Sequence, residues 1–274
     1  MNIFSSGFIE SCIKFGFLGA ASASITSSKG TDSIFNIIEQ LEPRSNLVSR
    51  SIEVIDTCKV KGTFAITYDD GPYIYENQIT TNLSKQNAKG TFFVNGLNYG
   101  CIYDQDNVDS LRRAFSQGHA IGSHTWSHAK VTELSEKELI KELSLLEVAF
   151  KKILGIRTRI FRPPYGELNE RAKKVIHDRG YRIITWSVDS GDSVGASPKE
   201  SIKIYRDSAS KFPLPQIALS HETLKPTATQ VTPEAIKVLQ KYGYRLVTVP
   251  ECLGWTSYYD RVGKPEARDS TWTC

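Results

Sequence analysis

Three features that define large classes of protein are missing from this sequence. No block of Lys or Arg occurs, and the net charge of +4 is spread along the chain, which argues against a nucleic-acid partner. Beyond the first 23 residues, no apolar run reaches the ~18 residues that a membrane-spanning helix needs. The Cys-x-x-Cys spacing typical of cysteine zinc sites is also absent. The remaining composition is that of a globular protein, for which a neutral polymer or a small solute is a suitable partner.

The first 23 residues differ from the rest and are typical of a secretory leader. Lys14 precedes a short apolar run, which ends at Ala21-Ser22-Ala23, the small-residue pattern of a cleavage site. This pattern predicts a secreted protein, extracellular or in the cell wall; a disordered or amphipathic N-terminus is the alternative. We interpret residues 24–57, rich in Ser and charge, as an N-terminal extension that wraps the domain or is partly removed. Asn82-Leu83-Ser84 is an acceptor sequence for N-glycosylation.

The cysteines agree with export. Removal of the leader takes Cys12 away and leaves an even number, for which three pairings exist. Cys58 stands just before the first predicted strand, and Cys252 follows the last one. If those two strands are neighbours, as in a closed barrel, the bridges are Cys58–Cys252 and Cys101–Cys274, the second of which ties down the C-terminal tail.

From residue 63 onward, strand-like runs alternate with helical patterns. This alternation predicts an α/β fold of parallel strands with crossover helices, in a barrel of about seven strands; an open sheet is the alternative. The predicted strands are Thr63–Thr67, Thr91–Val94, Ala120–Ser123, Arg159–Phe161, Tyr181–Trp186, Gln216–Leu219 and Arg245–Val249. The predicted helices are Glu76–Gln86, Asp109–Gln117, Ser135–Leu154, Asn169–Arg179, Pro198–Lys211 and Pro233–Tyr242. Nothing in the sequence indicates a second domain.

Two adjacent carboxylates, Asp69 and Asp70, end the first predicted strand within Thr67–Pro72. On a regular strand, neighbouring side chains point to opposite faces, so this pair could not share a site. Where a strand breaks into a turn they can, and Gly71-Pro72 indicates such a turn. An acidic surface turn is the alternative interpretation, because Asp, Gly and Pro are ordinary turn residues.

Four later strand ends change the balance between these interpretations. They carry His124–His128, Arg162–Gly166, Asp189–Asp192 and Leu219–His221. Each taken alone has an ordinary explanation: a chance histidine pair, a rigid Pro-Gly loop, an acidic turn or a core histidine. In a parallel barrel, however, strand ends of this kind converge on one site, and together they supply the groups that metal-assisted hydrolysis needs. Two histidines spaced i and i+4 can bind one metal from a helical turn. His119 and His177 lie elsewhere and are expected to be structural or solvent-facing.

The ordered set TYDDGP, HTWSH, RPPYG, DSGD and LSH resembles the polysaccharide deacetylases of carbohydrate esterase family 4. The resemblance covers residues 58–255 and is closest to the fungal chitin deacetylases. It implies a single catalytic domain with a distorted (β/α) barrel, followed by a tail over residues 256–274. It also implies a monomer that removes N-acetyl groups from chitin or N-acetylglucosamine oligosaccharides.

The same resemblance implies a role for each motif residue. Asp70, His124 and His128 would hold one divalent metal, zinc in the first place, with cobalt, iron or another divalent ion as alternatives. The reacting groups would be Asp69 as general base, Arg162 holding it in place, and His221 as general acid. The acid that sets the protonation of His221 would be Asp192, with Asp189 as the second choice. Substrate contacts would come from the backbone N–H of Tyr165, from Leu219 and from Trp126.

Two positions depart from the family pattern. Tyr68 stands where the family usually has Phe, and Ser193 stands where it commonly has a Trp that packs beside the catalytic histidine. The second change puts the packing of Leu219 and His221 in question. Two other functions stay open: deacetylation of another polymer, such as peptidoglycan or acetylxylan, and a catalytically silent carbohydrate-binding protein.

Overall fold

The computed structural model describes residues 51–274, so the predicted leader and most of the predicted extension lie outside the described residues. The strands are β1 (Val54–Ile55), β2 (Thr63–Gly71), β3 (Gly90–Val94), β4 (Ala120–Ser123), β5 (Ile156–Thr158), β6 (Ile160–Phe161), β7 (Arg182–Ile184), β8 (Val188–Asp189), β9 (Gln216–His221), β10 (Arg245–Leu246) and β11 (Tyr259–Arg261). The α-helices are α1 (Glu76–Lys85), α2 (Gln105–Ser116), α3 (Glu136–Leu154), α4 (Glu170–Asp178), α5 (Pro198–Ala209), α6 (Thr232–Lys241) and α7 (Val249–Cys252).

The main sheet is parallel throughout and curls into a half-barrel. Its strand order is β1-β7-β6-β4-β3-β2-β9-β8, and β10 adds beside the start of β2. The predicted (β/α) barrel is therefore confirmed. The sheet has two more strands than expected, because the two-residue strands β1 and β8 are too short to give a periodic signal.

Local sequence signals explain where the helices begin and end. At the start of α3, the hydroxyl of Ser135 accepts from the backbone N–H of Glu138, whose side chain accepts in return from the Ser135 N–H in a capping box. Gly155 ends the helix in the left-handed region, with φ 69°, which glycine adopts without strain. The last predicted strand, Arg245–Val249, is too long by three residues, because Val249 and Pro250 begin α7.

The alternation of buried side chains along the strands builds two layers of core. Phe64, Ile66 and Tyr68 of β2 pack in the layer that includes the apolar faces of α1, α2, α5 and α6. Ala65 belongs to a second layer, to which most of the parallel strands contribute one residue. The hydroxyl of Tyr68 stays satisfied because it lies 3.1 Å from Thr232 Oγ1. The two layers of core pack on opposite faces of the sheet and thus fix the carboxyl ends of the strands.

Two disulfides join the ends of the described chain to the barrel. Cys58–Cys252 and Cys101–Cys274 have Cα separations of 5.1 Å and 5.8 Å, within the usual range for a bridge. Both pairings agree with the expectation, and β10 and β2 are neighbours as that argument required. The tail over residues 256–274 packs onto the domain, because β11 pairs with β5 and Trp272 is buried.

Two further expectations, the start of the folded domain and the glycosylation site, can be compared with the structure. Residues 54–55, expected in the extension, form β1 and pair with β7, so the folded unit begins before residue 58. Asn82 lies in the middle of α1, half-buried, and its Nδ2 donates to the carbonyl oxygen of Ala228 at 3.3 Å. The nitrogen that would carry a glycan is therefore already hydrogen bonded.

Among residues 51–274, no helix is long and apolar enough to cross a membrane.

Candidate active site

A β-bulge at the end of β2 brings two adjacent carboxylates to one site. The register between β2 and β3 shifts between Asp69 and Gly71, and Asp70 adopts the left-handed region with φ 75°. The extra residue interrupts the alternation of faces that would otherwise separate the two side chains. As a result, both acids approach the same imidazole: His124 Nε2 lies 3.7 Å from Asp69 Oδ2 and 3.6 Å from Asp70 Oδ1.

Asp70, His124 and His128 form a group that fits a divalent cation. One ligand atom from each lies within 4.8 Å of the other two, and Asp70 Oδ1 is 3.2 Å from His128 Nε2. Asp70 Oδ1 is buried and has no hydrogen-bond partner within the described chain, although an isolated buried carboxylate oxygen is costly. A cation between the three groups would satisfy that oxygen, and two imidazoles with one carboxylate are a ligand set of catalytic zinc sites.

The two histidines are held in the form that binds metal. Burial lowers the pKa of His124 and the pKa of His128 from the usual value, so both imidazoles are neutral and keep a free lone pair. His124 Nδ1 lies 2.8 Å from the carbonyl oxygen of Arg162; it must donate there, which leaves Nε2 as the free nitrogen. Burial also raises the pKa of Asp70.

The expected helical turn for this histidine pair is wrong. Residues 124–128 form an irregular bend after β4, and both Thr125 and His128 have positive φ, 67° and 56°. The i, i+4 spacing works here because the bend, rather than a helix, turns the second ring back toward the first. The ring centroids lie 5.0 Å apart.

Arg162 is buried behind Asp69 and fixes its orientation. Its Nη1 donates to Asp69 Oδ1 at 2.8 Å and to Thr67 Oγ1 at 2.5 Å, and its Nη2 donates to the carbonyl oxygen of Thr185 at 2.9 Å. The guanidinium also lies over the ring of Phe93. Since Oδ1 is occupied in this way, Oδ2 is the Asp69 oxygen that lies toward His124. The pairing expected from the sequence is present.

His221 and Asp192 form a second buried pair across the site. Asp192 Oδ1 lies 2.7 Å from His221 Nδ1, and its Oδ2 accepts from the backbone N–H of His221 and from the hydroxyl of Thr227, both at 2.8 Å. Burial alone would lower the pKa of His221, but the hydrogen bond and charge of Asp192 outweigh it and raise that pKa to about 9. Burial likewise opposes the ionisation of Asp192, yet these hydrogen bonds lower its pKa. Asp189, the second choice, instead accepts from the Gly191 N–H.

These groups line one cavity of about 380 Å³. Its wall includes Asp69, Asp70, His124, His128, Pro163, Tyr165, Trp186, Asp189, Ser193, Val194, Leu219 and His221. A larger groove of about 850 Å³ lies beside Phe115 and Tyr259, but in the described chain the Asp-His-His group belongs to the smaller cavity. Chemistry, rather than volume, therefore identifies the candidate active site.

Backbone strain is concentrated around this cavity. In the part of the chain that the structure describes, five residues other than glycine have positive φ, and four of them are Asp70, Thr125, His128 and Tyr165. Such conformations cost free energy and persist where the surrounding structure imposes them, often at functional sites. Tyr165 leaves 57% of its side chain exposed and sets its ring 4.7 Å from that of His128.

Trp126 does not reach the cavity, so its expected substrate contact is not supported. It is only 9% exposed and packs against Tyr103. A Cβ added to Gly96 would lie 1.9 Å from the indole, which shows how closely the backbone approaches it. The ring supports the loop between the two histidines from below. The histidines set apart in the sequence agree with expectation: His119 is buried and His177 is exposed.

Three contributing residues were missed from the sequence. Thr67 and Thr227 each bond a catalytic-site partner from a distant element, and no local pattern marks either hydroxyl. Trp186 lines the cavity and lies 5.5 Å from the Arg162 guanidinium; its position as the last residue of a predicted strand was a signal that could have found it. Ser193 is exposed at the rim, where it leaves Leu219 and His221 in place in the wall.

Comparison with known proteins identifies the family. Residues 56–184 match the model of the polysaccharide deacetylase family. A chitin deacetylase of Pestalotiopsis is 34% identical over 201 residues, which are 73% of this chain and 67% of the relative. A probable peptidoglycan-N-acetylglucosamine deacetylase of Arthroderma benhamiae is 34% identical over 74% of this chain, and there the match spans only 46% of the relative.

The fold gives the same result. The structure of the chitin deacetylase from the fungal pathogen Colletotrichum lindemuthianum superposes with a TM-score of 0.73 at 33% identity, covering 76% of this chain and 96% of that one. The five motifs, the half-barrel and these similarities agree over the same part of the sequence. The chain therefore belongs to the polysaccharide deacetylase family, amidohydrolases that act on acetyl groups of polysaccharides.

Proposed function

We propose that this protein is a metal-dependent N-deacetylase that converts N-acetylglucosamine units of chitin or chito-oligosaccharides to glucosamine units, releasing acetate. The observation that carries the proposal is the convergence of Asp70, His124 and His128 in a cavity that also contains Asp69 and His221. A hydrolase of an unreactive amide needs an activated water, a base and an acid in one place, and this cavity contains suitable groups for all three.

Asp70, His124 and His128 would hold the cation, and zinc suits this ligand set best. Cobalt, iron or another divalent ion remains compatible with two imidazoles and one carboxylate. When bound, the cation would lower the pKa of a water molecule and polarise the acetamido carbonyl group. The buried, unpartnered Oδ1 of Asp70 and the neutral state of both imidazoles support this assignment.

Asp69 would act as the general base. Arg162 engages Asp69 Oδ1, which leaves Oδ2 available to take a proton from the attacking water. Because Arg162 is itself held by Thr67 and Thr185, the orientation of the base is set before substrate binds. Neighbouring Asp70 is directed at the histidines, so two adjacent acids carry separate roles.

His221 would act as the general acid. Its pKa of about 9 keeps the imidazole protonated at neutral pH, and Asp192 engages Nδ1, which leaves Nε2 to donate. When the carbon–nitrogen bond of the tetrahedral intermediate breaks, His221 would give this proton to the leaving amine. The products are acetate and a free amino sugar, and the site returns to its starting state when Asp69 releases the proton it gained and His221 takes up a proton.

The remaining cavity residues would bind the acetamido group. The backbone N–H of Tyr165 would stabilise the oxyanion, and Leu219 would contact the acetyl methyl group. Leu219 is 5% exposed and lies in the cavity wall, as an apolar pocket floor requires. The exposed ring of Tyr165 and the half-buried ring of Trp186 would present aromatic surface to the sugar.

Chitin is the substrate that the similarities favour. Chitin deacetylases are 34% and 33% identical to this chain, and the solved structure of one of them superposes with a TM-score of 0.73. Acetate release from matched amounts of N-acetylglucosamine hexamer, peptidoglycan fragments and acetylxylan tests the choice. Release from the hexamer that is at least tenfold faster is expected; faster release from either other polymer contradicts chitin as the substrate.

A catalytically silent carbohydrate-binding protein is the alternative of a different class. The presence of Asp69, Arg162, His221 and Asp192 with short contacts between the partners of each pair speaks against it, because binding alone requires none of these pairs. Binding of chito-oligosaccharide without any acetate release, in the presence of zinc or cobalt, would support the alternative.

We also propose that the protein acts outside the cell as a monomer. The secretory pattern of residues 1–23 and the two disulfides support export, because bridges of this kind form in oxidising compartments. Detection of the disulfide-bonded protein in culture medium or cell-wall extracts tests the location, and gel filtration with light scattering tests the monomer.

A further inference from the structure

Glu222, the residue after His221, is buried against the turn that carries the two active-site acids. Its side chain is fully buried, and its Oε1 accepts from the backbone N–H of Tyr73 at 2.8 Å. Its own backbone N–H donates to the carbonyl oxygen of Asp69 at 3.2 Å. Glu222 therefore bonds the chain on both sides of Asp70 while standing next to the proposed general acid.

The fit between Glu222 and Gly71 is closer than any side chain at position 71 would allow. A Cβ added to Gly71 would lie 2.0 Å from Glu222 Oε1 and 2.2 Å from its Cδ. The carboxyl group thus lies directly on the Gly71 backbone, whose carbonyl oxygen accepts at 2.7 Å from the N–H of Asn95, the residue after β3. The turn is held between Glu222 on one side and β3 on the other, which fixes the strained residue Asp70 between them.

A second buried acid, Glu76, completes the arrangement. It is fully buried at the start of α1; its backbone N–H donates to the carbonyl oxygen of Tyr73 at 3.0 Å, and its Oε2 accepts from Ser110 Oγ at 2.8 Å. Glu76 Oε1 and Glu222 Oε2 are both buried without a hydrogen-bond partner in residues 51–274. Neither carboxyl group forms an ion pair with any Lys, Arg or His of the described chain.

Two buried carboxyl groups without a cation cannot both remain charged at reasonable cost. A proton on Glu222 would remove one of the two charges. Burial, followed by the charge of Glu76 and of Asp70 and Asp69, raises the pKa of Glu222, and burial raises the pKa of Glu76 to about 8, in agreement with a protonated pair.

We propose that Glu222 is a positioning residue for the reaction: its neutral carboxyl group, packed on Gly71 and hydrogen bonded to the backbone N–H of Tyr73, holds Gly71 to Tyr73 so that Asp69 and Asp70 face the cavity. This inference rests on the proposed function, because it assigns the geometry of the base and of one cation ligand to a residue that touches neither substrate nor cation. A neutral clamp also avoids placing another negative charge behind Asp70.

Two substitutions at one position test the clamp. Glu222→Gln keeps the length and the acceptor for Tyr73 N–H, so we expect at least half of the wild-type kcat and unchanged zinc affinity. Glu222→Asp is one methylene group shorter and loses contact with the turn, so we expect about 10–100-fold losses in both kcat and zinc affinity, with KM little changed. Glu234→Asp, an exposed residue paired with Lys237, makes the same chemical change as a control and should alter neither quantity.

Zinc affinity is measured by competition with a chelator, so the test holds even if wild type shows no deacetylation, an outcome that would count against the proposed function alone. Equal zinc affinity in wild type and Glu222→Asp overturns the proposal, and so does a Glu222→Gln variant that is as impaired as Glu222→Asp, because it would show that a charged carboxylate is required. Infrared spectra of wild type and of the double variant Glu76→Gln/Glu222→Gln at neutral pH test whether the carboxyl group is protonated. This test holds even if Glu222→Asp fails to fold. A protonated carboxyl band present in wild type and lost in the double variant is expected; identical spectra overturn the neutral carboxyl group.

Discussion

Asp192 bonds His221 twice, through the backbone N–H at 2.8 Å and through Nδ1 at 2.7 Å. The second residue that engages this carboxylate, Thr227, comes from the π-helical turn Thr227–Val231 that leads into α6. One acid thus fixes both the backbone position and the ring orientation of the histidine. The ring cannot rotate to offer Nδ1 to the cavity without losing this pair.

Asp192→Asn should change the pH dependence of the reaction. The charge of Asp192 raises the pKa of His221 from 6.5 to about 9, so an uncharged partner lowers it and His221 loses its proton at a lower pH. We expect the alkaline limb of kcat/KM to move by at least about one pH unit toward acid, with kcat reduced about 100-fold at neutral pH. An unchanged alkaline limb would contradict the role of the pair.

The same pair should affect stability in a defined pH window. Since the folded-state pKa of His221 is raised, the pairing stabilises the folded protein fully below about pH 6.5, and the contribution disappears as the pH rises through about 9. The Tm difference between wild type and Asp192→Asn should therefore be largest in mildly acidic buffer and narrow above pH 9. A difference that grows with pH would be the wrong sign.

Asp69→Asn should separate metal binding from catalysis. The amide cannot accept a proton from water, but Asp70, His124 and His128 are intact, so deacetylation should fall by about 10²–10⁴-fold while zinc stoichiometry stays at that of wild type. Elemental analysis and acetate release on the same preparation measure both. A fully active variant would rule out Asp69 as the base.

His124→Ala should lose both the metal and the activity. It removes one of the three proposed ligands and the contact with the Arg162 carbonyl oxygen, so the purified protein should contain little zinc and show no deacetylation. The exposed His177→Ala serves as the matched control and should keep normal zinc content. Normal zinc content in His124→Ala would exclude the proposed ligand set.

Trp126→Ala distinguishes a core role from a substrate contact. Because the ring is 9% exposed and packs over Gly96, its loss should reduce the free energy of unfolding by about 3–5 kcal/mol. Any fall in activity should follow loss of folded protein or of bound metal, and KM for chito-oligosaccharide should stay unchanged at low temperature. A raised KM with unchanged stability would restore the substrate contact that the sequence suggested.

The sequence was sufficient for features that depend on local signals repeated in order. Parallel strand ends gather at one edge, so polar residues directly after five predicted strands identified the cavity before any coordinates. The same logic placed Cys58 beside Cys252, because the first and last predicted strands are neighbours in a barrel. The predicted helix Ser135–Leu154 agrees with α3 to within one residue, because Ser135 and Gly155 are residue types that favour helix ends.

Features that depend on long-range packing could not be predicted from the sequence. The bulge that turns Asp70 beside Asp69 is held by Glu222, which is 151 positions or more away in sequence and carries no motif of its own. The substrate contact that the resemblance implied for Trp126 is not supported, because the absence of a side chain at Gly96 leaves room for the ring in the core. Thr227 reaches Asp192 only through the packing of the segment before α6.

The proposed function requires a cation held by Asp70, His124 and His128. Without it, no acetate should be released from N-acetylglucosamine units. The most direct measurement is mass spectrometry of the products from a defined N-acetylglucosamine oligomer, using protein stripped by a chelator and then restored with one equivalent of zinc. We expect no deacetylated product from the stripped protein and recovery of deacetylation when zinc is added back. Equal product from stripped and restored protein, or none from either, would contradict the proposed function.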